Sequence, residues 1–551
     1  MPTVEFNLAD LKPLLGREIN REELEDLILY VKGEVEDFYE NEVKIDLKDT
    51  NRPDLWSVEG IARELKGHLG IEEGIPNYKV NPPEISMIVS KKVERVRAKT
   101  VAAVVKNLSF DEESIRQIIQ LQEKIHLTYG RNRHATSIGI YDYDKIAPPI
   151  HYTTVKPEGI KFVPLDFEEE MTPKEILEKH PKGREYGHLI KKYDEYPLMI
   201  DSKGNVLSIP PIINSAYTGK ITEETKNVFI EMTGHSIETL LLPLNVIVTA
   251  LADRGGKIYS VEVKYPEKTI ITPDLTPKKF EIDLDYCRKI LGLSLTDEEI
   301  IALLKRARYD IAEKNKSKLV VYYPAYRNDI MHQRDVVEDI AIAYNLNNME
   351  PETPKLPTIG RGLEIEEFCD TIREIMIGLG FQEIMTFSLT NKQNLFVKMN
   401  IAEEKVCEIA NPVSSSWTAL RNWLIPSLLE FLSRNKHVDF PQKIFEVGDV
   451  VIIDETRETK TKTIRKLACA ISDSKVSYEE ISSSLDALMR NLGIEYKLRK
   501  TEHASFIPGR VAKIIANGKE GIIGEVHPQV LNNWKLEKPV VAFEMEIGEV
   551  S

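Results

Sequence analysis

Apolar residues recur every three to four positions in some stretches of this chain and at shorter spacing in others, and the change of period marks out its elements. In "DTNRPDLWSVEGIARELKGHLG", Val58, Ile61, Ala62, Leu65 and Leu69 fall on one face, Asp54 or Ser57 stands near the start, and Gly70 can stop the turn. That spacing predicts a helix. Another is predicted over "DEESIRQIIQLQEKIHLTYG", behind the strand-like "VAAVVKNLSF". Thr296 and Glu299 make a capping-box pair ahead of "IIALLKRARYD" and predict a further helix start there. Ile365, Phe368, Cys369, Ile372, Met376 and Leu379 form the stripe of a long helix that runs into the strand-like "EIMTFSL". Strands are predicted in "KVCEIA", "QKIFEVGDVVII", "KLACAIS" and "PVVAFEMEI", and a hairpin around Asn517-Gly518. Helices are predicted over "IPSLLEFLSRN" and "YEEISSSLDALMRNLG".

Breaks in these patterns divide the chain. Gly70, Gly74, Pro76, Pro82 and Pro83 close a first segment, 1–80. Segment 85–270 mixes strand-like and helical runs and reads as a mixed α/β domain. Segment 271–350 holds two short helices, the strand-like "SKLVVYYP" and a third helix, resembling a helix-turn-helix module. "NMEPETPKLPTIGRG" reads as a linker, and 355–551 as an antiparallel sheet carrying helices. The fold class is therefore α+β multidomain, which suits 551 residues, more than one core serves. There is no fixed-period repeat.

The formal net charge of -15 argues against nucleic-acid binding over the whole surface, since such affinity rests on Lys and Arg neutralising phosphates. Any RNA contact is local or supplied by a partner. No window approaches the ~18 apolar residues of a membrane span, and the start, "MPTVEFNLADLK", has no signal-like pattern, so a cytoplasmic protein is expected. The four cysteines form no CxxC pair, which disfavours disulfides and zinc. Phosphate-loop, HExxH, GxSxG and GxGxxG patterns are missing, and those enzyme classes lose support.

Three features carry candidate chemistry. "YRNDIMHQRDVVEDIAIAYN" gathers Asp329, Asp335, Glu338 and Asp339. On a helix the last three share a face opposite Val336, Val337, Ile340 and Tyr344, so periodicity alone favours a solvated face; Asp329, folded back, would add the fourth oxygen donor of a Mg²⁺ site. Arg131, Arg133 and His134 lie just past a predicted helix end and read either as dipole compensation or as a phosphate or RNA 3′-end contact. Glu231, within "VFIEMTG", either faces water on alternate strand positions or is an acceptor at the bottom of a pocket. "PPIINS" reads by spacing as an ordinary buried strand after a Pro turn.

Taken together, "KDTNRPDLWSVEGIARELKGHLG", "GRNRHATSIGIYDYDKI", "PPIINS", "YRNDIMHQRDVVEDIAIAYNLNNMEP", "NPVSSSWTALRNWLIPSLLEFLSRNKHVDFPQKIFEVGDVV" and "GIIGEVHPQVL" resemble the β subunit of phenylalanyl-tRNA synthetase, archaeal type, over nearly the whole chain and in order. The resemblance implies an α₂β₂ enzyme with ATP and tRNA(Phe) as substrates, activation on the α subunit, and Mg²⁺ shared with that subunit on Asp329, Asp335, Glu338 and Asp339. It implies a C-terminal class II aminoacyl-tRNA synthetase-like module without an active site, whose stretch 363–389 and "NPVSSSWTALRNWL" build the subunit interface. It implies an editing (B3/B4-like) domain and a helix-turn-helix-like B5 domain. The editing domain would hydrolyse tyrosine wrongly attached to tRNA(Phe), with Glu231 accepting from the tyrosine hydroxyl, Ser208, Asn214, Ser215 and Thr233 lining the pocket, and Arg131, Arg133 and His134 near the tRNA end. The domains appended to bacterial relatives at either end are not expected here, which leaves recognition of the tRNA body more to the α subunit. Neither membrane nor DNA is an expected partner. Two competing readings are a metal-dependent hydrolase using the acidic cluster and a nucleic-acid-binding scaffold.

Overall fold

Ser57 accepts a hydrogen bond from the Gly60 amide and opens the helix Val58–His68; Gly70, at φ +68°, follows its end, so the element and its boundaries agree with the spacing. The helix has no solvated face, however. Glu59, Arg63, Glu64 and His68 are all buried, because the helices Leu8–Leu15, Ile237–Asp253 and Asp297–Arg306 pack around it. Its polar stripe is matched in ion pairs: Glu59 with Arg254, Arg63 with Asp253 and Glu64 with Arg52.

This computed structural model describes residues 3–550, and the chain divides into two compact units, Met1–Glu352 and Thr353–Ser551. The first unit holds three sheets. The N-terminal one has the order Thr3–Asn7, Glu42–Leu47, Gly33–Tyr39. Its apolar residues, such as Val4, Phe6 and Ile45, belong to one core with Val101, Leu121, Leu244 and Leu251 of the following segment.

The ten-stranded sheet that follows runs Ile213–Asn214, Val206–Ile209, Tyr196–Ile200, Ile150–Val155, Val80–Val89, Lys257–Lys264, Lys99–Lys106, Val228–Gly234, Thr136–Asp142, with Thr269–Thr272 paired to Lys257–Lys264 off this path. Val80–Val89 pairs parallel with both neighbours, and the other pairs are antiparallel. Helices Glu112–Leu127 and Ile237–Asp253 pack on the sheet, and every residue of Val228–Gly234 and Thr136–Asp142 is buried. Alternation is lost there because both faces are covered.

The third sheet orders Lys278–Asp283, Lys318–Tyr323 and Asp310–Asn315, with helices Leu284–Leu291, Asp297–Arg306 and Gln333–Tyr344 beside it. The Thr296–Glu299 capping box forms as predicted. A helix-turn-helix reading omits most of this sheet, since "DIAEKN" is nearly all exposed and gives no apolar period.

In the second unit a seven-stranded sheet runs Gln382–Glu383, Gln442–Ile453, Thr461–Ser472, Val540–Glu549, Lys519–Val526, Phe506–Ala516, Tyr496–Lys500, antiparallel except for the first pair. Helix Ile425–Arg434 covers one face; Glu364–Gly378 and Tyr478–Leu492 cover the other. The predicted hairpin turns at Asn517 and Gly518, both at positive φ. "EIMTFSL" and "KVCEIA" depart from expectation. Only Gln382–Glu383 and Leu389–Thr390 are strands there, Glu408 makes one bridge to Ala419, and Met385 and Phe387 are 95% and 75% exposed. No helix among the described residues is long and apolar enough to cross a membrane.

Candidate functional site

Glu231 sits in the middle of a strand flanked by two others, opposite Ala102 on one side and Gly139 on the other. Gly139 is required there: a Cβ would lie 2.2 Å from the Tyr141 hydroxyl and 2.6 Å from Glu231 Oε1. Room at Gly139 lets Tyr141 reach across. Its hydroxyl lies 3.0 Å from Glu231 Oε1 and 2.7 Å from Ser208 Oγ. With a single proton, Tyr141 donates to Glu231 and accepts from Ser208. Glu231 is 2% exposed, and its Oε2 has no protein partner.

Glu231, Ser208, Asn214 and Arg133 all line a cavity of about 540 Å³ whose remaining wall is largely apolar, with Phe110, Ile118, Ile138, Ile140, Ile209 and Ile213. That volume suits a side chain with part of what carries it. Burial drives the Glu231 carboxyl up to about 7, against the smaller opposing pull of the Tyr141 hydrogen bond and the Arg97 charge. Near neutral pH the group is poised between its two forms.

The wall is stiffened by side chains that close the free edge of the sheet. Ile138 N donates to His126 Nε2 (2.8 Å), Gln122 donates to Ile138 O (3.1 Å), and Asn214 to Ile140 O (3.3 Å). An exposed strand edge would otherwise present unpaired amides. Burial lowers His126 to about 4, so its ring is neutral and free to accept. Arg133 folds back to Glu123 Oε1 at 2.9 Å and donates to Ile212 O at 3.0 Å, anchoring the Pro210–Asn214 segment that forms the far wall.

The other four residues assigned to this pocket stand elsewhere. Thr233 is spent on the buried Arg97 and on Ser137, at 2.8 Å each. Ser215 caps the short helix Ala216–Gly219 through the Tyr217 amide. Arg131 and His134 are exposed on the turn after helix Glu112–Leu127, with the His134 ring 5.8 Å from that of His235.

The acidic cluster is not brought together. Asp329 binds Arg327 through both oxygens and lies 3.9 Å from Arg52. Asp339 is held by Arg327 at 2.8 Å and by the Tyr309 hydroxyl. Burial opposes the charge on Asp329, yet Arg327 and Arg52 hold it down to about 2. Asp335 accepts from the amides of Met331 and His332 and caps its own helix. Glu338, 60% exposed, pairs with Lys32 at 3.0 Å. Among the described residues no three such side chains are grouped to hold a metal. A site using all four carboxylates does not fit this arrangement, since two are consumed by a buried guanidinium; only Asp335 and Glu338 face a different environment.

Comparison with known proteins matches three stretches of the chain to known domains. Residues 83–240 match the B3/4 domain, 280–346 the tRNA synthetase B5 domain, and 349–547 the phenylalanyl tRNA synthetase beta chain CLM domain. The phenylalanine–tRNA ligase beta subunit of Pyrococcus furiosus is 55% identical over 550 residues, covering 99% of both chains. That of Methanocaldococcus jannaschii is 44% identical over 552 residues, covering 99% of this chain and all of its own. This chain belongs to the phenylalanine–tRNA ligase beta subunit family. The crystal structure of an N-terminal fragment of the phenylalanyl-tRNA synthetase beta-subunit from Pyrococcus horikoshii superposes with a TM-score of 0.61 at 54% identity, covering 62% of this chain and 99% of the fragment.

Within that family frame, the cavity is built with residues the sequence did not point to, of which Glu123 lines it and the others support its lining. Tyr141 and Gly139 complete the Glu231 site, Arg97 donates to Ser137 of the lining, and Glu123 and His126 hold the wall. Gly139 inside a strand-like run was the available signal, because glycine in a strand marks a close approach.

Proposed function

We propose that this chain is the non-activating β subunit of a phenylalanine–tRNA ligase that works with an α subunit as an α₂β₂ complex. The complex joins phenylalanine to tRNA(Phe) with ATP, activation taking place on the α subunit. The β chain hydrolyses tyrosine misattached to that tRNA. The observation that carries the editing reading is the free Oε2 of Glu231, buried in an apolar cavity and lacking any protein partner.

A pocket lined by isoleucines alone would admit phenylalanine at least as readily as tyrosine, since it gains nothing from the added hydroxyl and rejects it by no more than ~10²-fold. A buried acceptor changes this. Tyrosine's hydroxyl would donate to Oε2 and satisfy it, whereas phenylalanine would leave it unpaired and desolvated, at about 1–3 kcal/mol. The Tyr141–Ser208 pair fixes Oε1 and so aims Oε2. No nucleophilic triad is built here; the ester would be cleaved by a water positioned against a held substrate.

The interface with the α subunit would use the apolar residues this chain leaves uncovered in 363–389, above all Met385 and Phe387, together with Val413. Magnesium shared with that partner would draw on Asp329, Asp335, Glu338 and Asp339 only if the partner released them from their present contacts, Asp329 and Asp339 with Arg327, Glu338 with Lys32 and Asp335 with its helix start. The division into 1–80, 85–270, 271–350 and 355–551 is supported by the separate sheets, though the first two segments share a core.

The test is release of tyrosine from mischarged tRNA(Phe) by the full chain with co-expressed α subunit. Glu231→Ala should lower the preference for tyrosyl over phenylalanyl ester by on the order of ten- to a hundredfold, the worth of a hydrogen bond to a charged group. Unchanged preference removes Glu231 from the role.

A further inference from the structure

A second cavity, of about 490 Å³, lies between helix Val58–His68, the segment Glu72–Asn81 and the start of strand Lys257–Lys264. It is remote in character from the first: its wall is charged. Arg308 is 1% exposed at its side chain and lines this space. Nη1 donates to the backbone oxygens of Glu72 and Gly74, while Nε and Nη2 meet no acceptor within hydrogen-bond distance. The nearest carboxylate, Glu72 Oε2, stands 3.6 Å from Nη2 on a side chain that is 46% exposed.

Arg63, 4% exposed, repeats the pattern one turn from Gly67 on helix Val58–His68. Nε and Nη2 bind Asp253, its guanidinium lies over the Tyr326 ring at 4.5 Å, and Nη1 has no partner. Three guanidinium nitrogens are thus desolvated and unsatisfied beside one cavity, a cost that a protein avoids unless something else supplies the acceptors.

The local build favours this arrangement over a simpler one. Arg308 stands at φ +67°, in the left-handed region that glycine would occupy after the helix Asp297–Arg306. Gly67 clears its path, for a Cβ there would lie 2.8 Å from Arg308 Cδ. Lys66, Lys79 and Lys257 add positive charge, so the lining carries five cations against the carboxylates of Glu59, Glu72 and Asp253. In a chain of net charge -15 that local excess stands out. Glu59 is bound to Arg254 through Oε1 only, its buried Oε2 having no partner, and Asp253 is bound to Arg63 and Tyr78, which leaves Glu72 as the exposed, loosely held acid.

We infer that this cavity binds a small phosphorylated anion, held by the free N–H groups of Arg63 and Arg308 with Lys66, Lys79 and Lys257 at the rim. Planar guanidinium forks match phosphate oxygens in pairs. A cavity of this size and three wall carboxylates disfavour the backbone of a long RNA, which is why a small molecule is the assigned class.

Isothermal titration of the full-length chain with inorganic pyrophosphate tests this. A single site that weakens at least tenfold in Arg308→Gln, and that competes with no bound oligoribonucleotide, is expected. If Arg308→Gln loses cooperative unfolding, the paired rim variant Lys79→Gln with Lys257→Gln, both exposed positions, keeps the fold and should weaken binding several-fold. No pyrophosphate binding at millimolar concentration, binding indifferent to every folded variant, or a site that takes an oligoribonucleotide in preference, overturns the assignment.

Discussion

Glu231 and Asp339 are both carboxylates taken almost wholly out of water, 2% and 6% exposed, and their surroundings treat them in opposite ways. Around Asp339 the charges are paired, with Arg327 Nη1 a buried guanidinium nitrogen left without a partner. Arg327 spans Asp339 and Asp329, and Arg52 beside it binds Asp54 and Glu64, so that the N-terminal segment and the third segment are tied by one buried ionic network. Around Glu231 one oxygen is answered by a neutral hydroxyl and the other is left to a cavity. Burial alone therefore does not distinguish a site from a scaffold. What separates the two is where the unfilled atom stands: Glu231 lines a cavity of about 540 Å³, whereas Arg327, with its unpartnered Nη1, lines neither that cavity nor the one of about 490 Å³.

The largest effect expected from this contrast is at Arg327. Arg327→Met strands two buried carboxylates, and removing one member of a buried ion network typically costs about 3–5 kcal/mol. Urea unfolding should report a loss of that size, and a change below about 1 kcal/mol would mean that the network carries no structural weight.

Next comes the pH response of the unpaired acid. Glu231 titrates near 7 in the folded chain against 4.5 unfolded, so its contribution is fully present below about 4.5 and fades as pH rises through 7, by about 3 kcal/mol. Glu231→Gln removes that slope. The variant should gain stability relative to the parent at pH 8 and lose the gain at pH 5; a constant difference across the range would refute an unpaired, raised carboxyl.

Asp329 has the mirror-image behaviour. Held at about 2 against 3.8 unfolded, it stabilises the fold fully above about pH 4, and this is lost as pH falls through 2, by about 2 kcal/mol. An acid titration of Asp329→Asn should lack that limb.

The smallest stability effect is expected at Asp335. It caps its helix from a half-buried position, and Asp335→Ala should cost about 1 kcal/mol. The same variant separates the readings of the acidic cluster, because ester hydrolysis by the chain with its partner should survive it. Abolished hydrolysis with the fold and partner intact would restore a metal-dependent hydrolase.

Much of the fold could be read directly. Ser57, Thr296 and Asn517-Gly518 are local signals whose physics is complete within a few residues, and each element begins or turns where they stand. The strands of the second unit were equally legible where apolar residues are covered by the chain itself. "EIMTFSL" misled because its apolar residues are not covered by the chain itself: Met385 and Phe387 stand 95% and 75% exposed.

The candidate site was legible only in part. Chain order and residue identity, through the family resemblance, pointed to Ser208, Asn214, Glu231 and Arg133, which do share a cavity. They could not exclude Thr233 or Ser215, whose hydroxyls are claimed by Arg97 and by a helix start.

By itself, then, the sequence determined the family, the order of the segments, and every element whose stop and start signals are local. Only the tertiary structure decided which charges would be spent. Arg327 and Asp339 are twelve positions apart and share a predicted acidic patch, but strand register and helix packing settle who meets whom: Gly139 opposite Glu231 opens a carboxylate to a cavity, and Arg327 beneath Asp329 and Asp339 closes two of them. Those pairings depend on distances across the fold, which spacing along the chain does not encode.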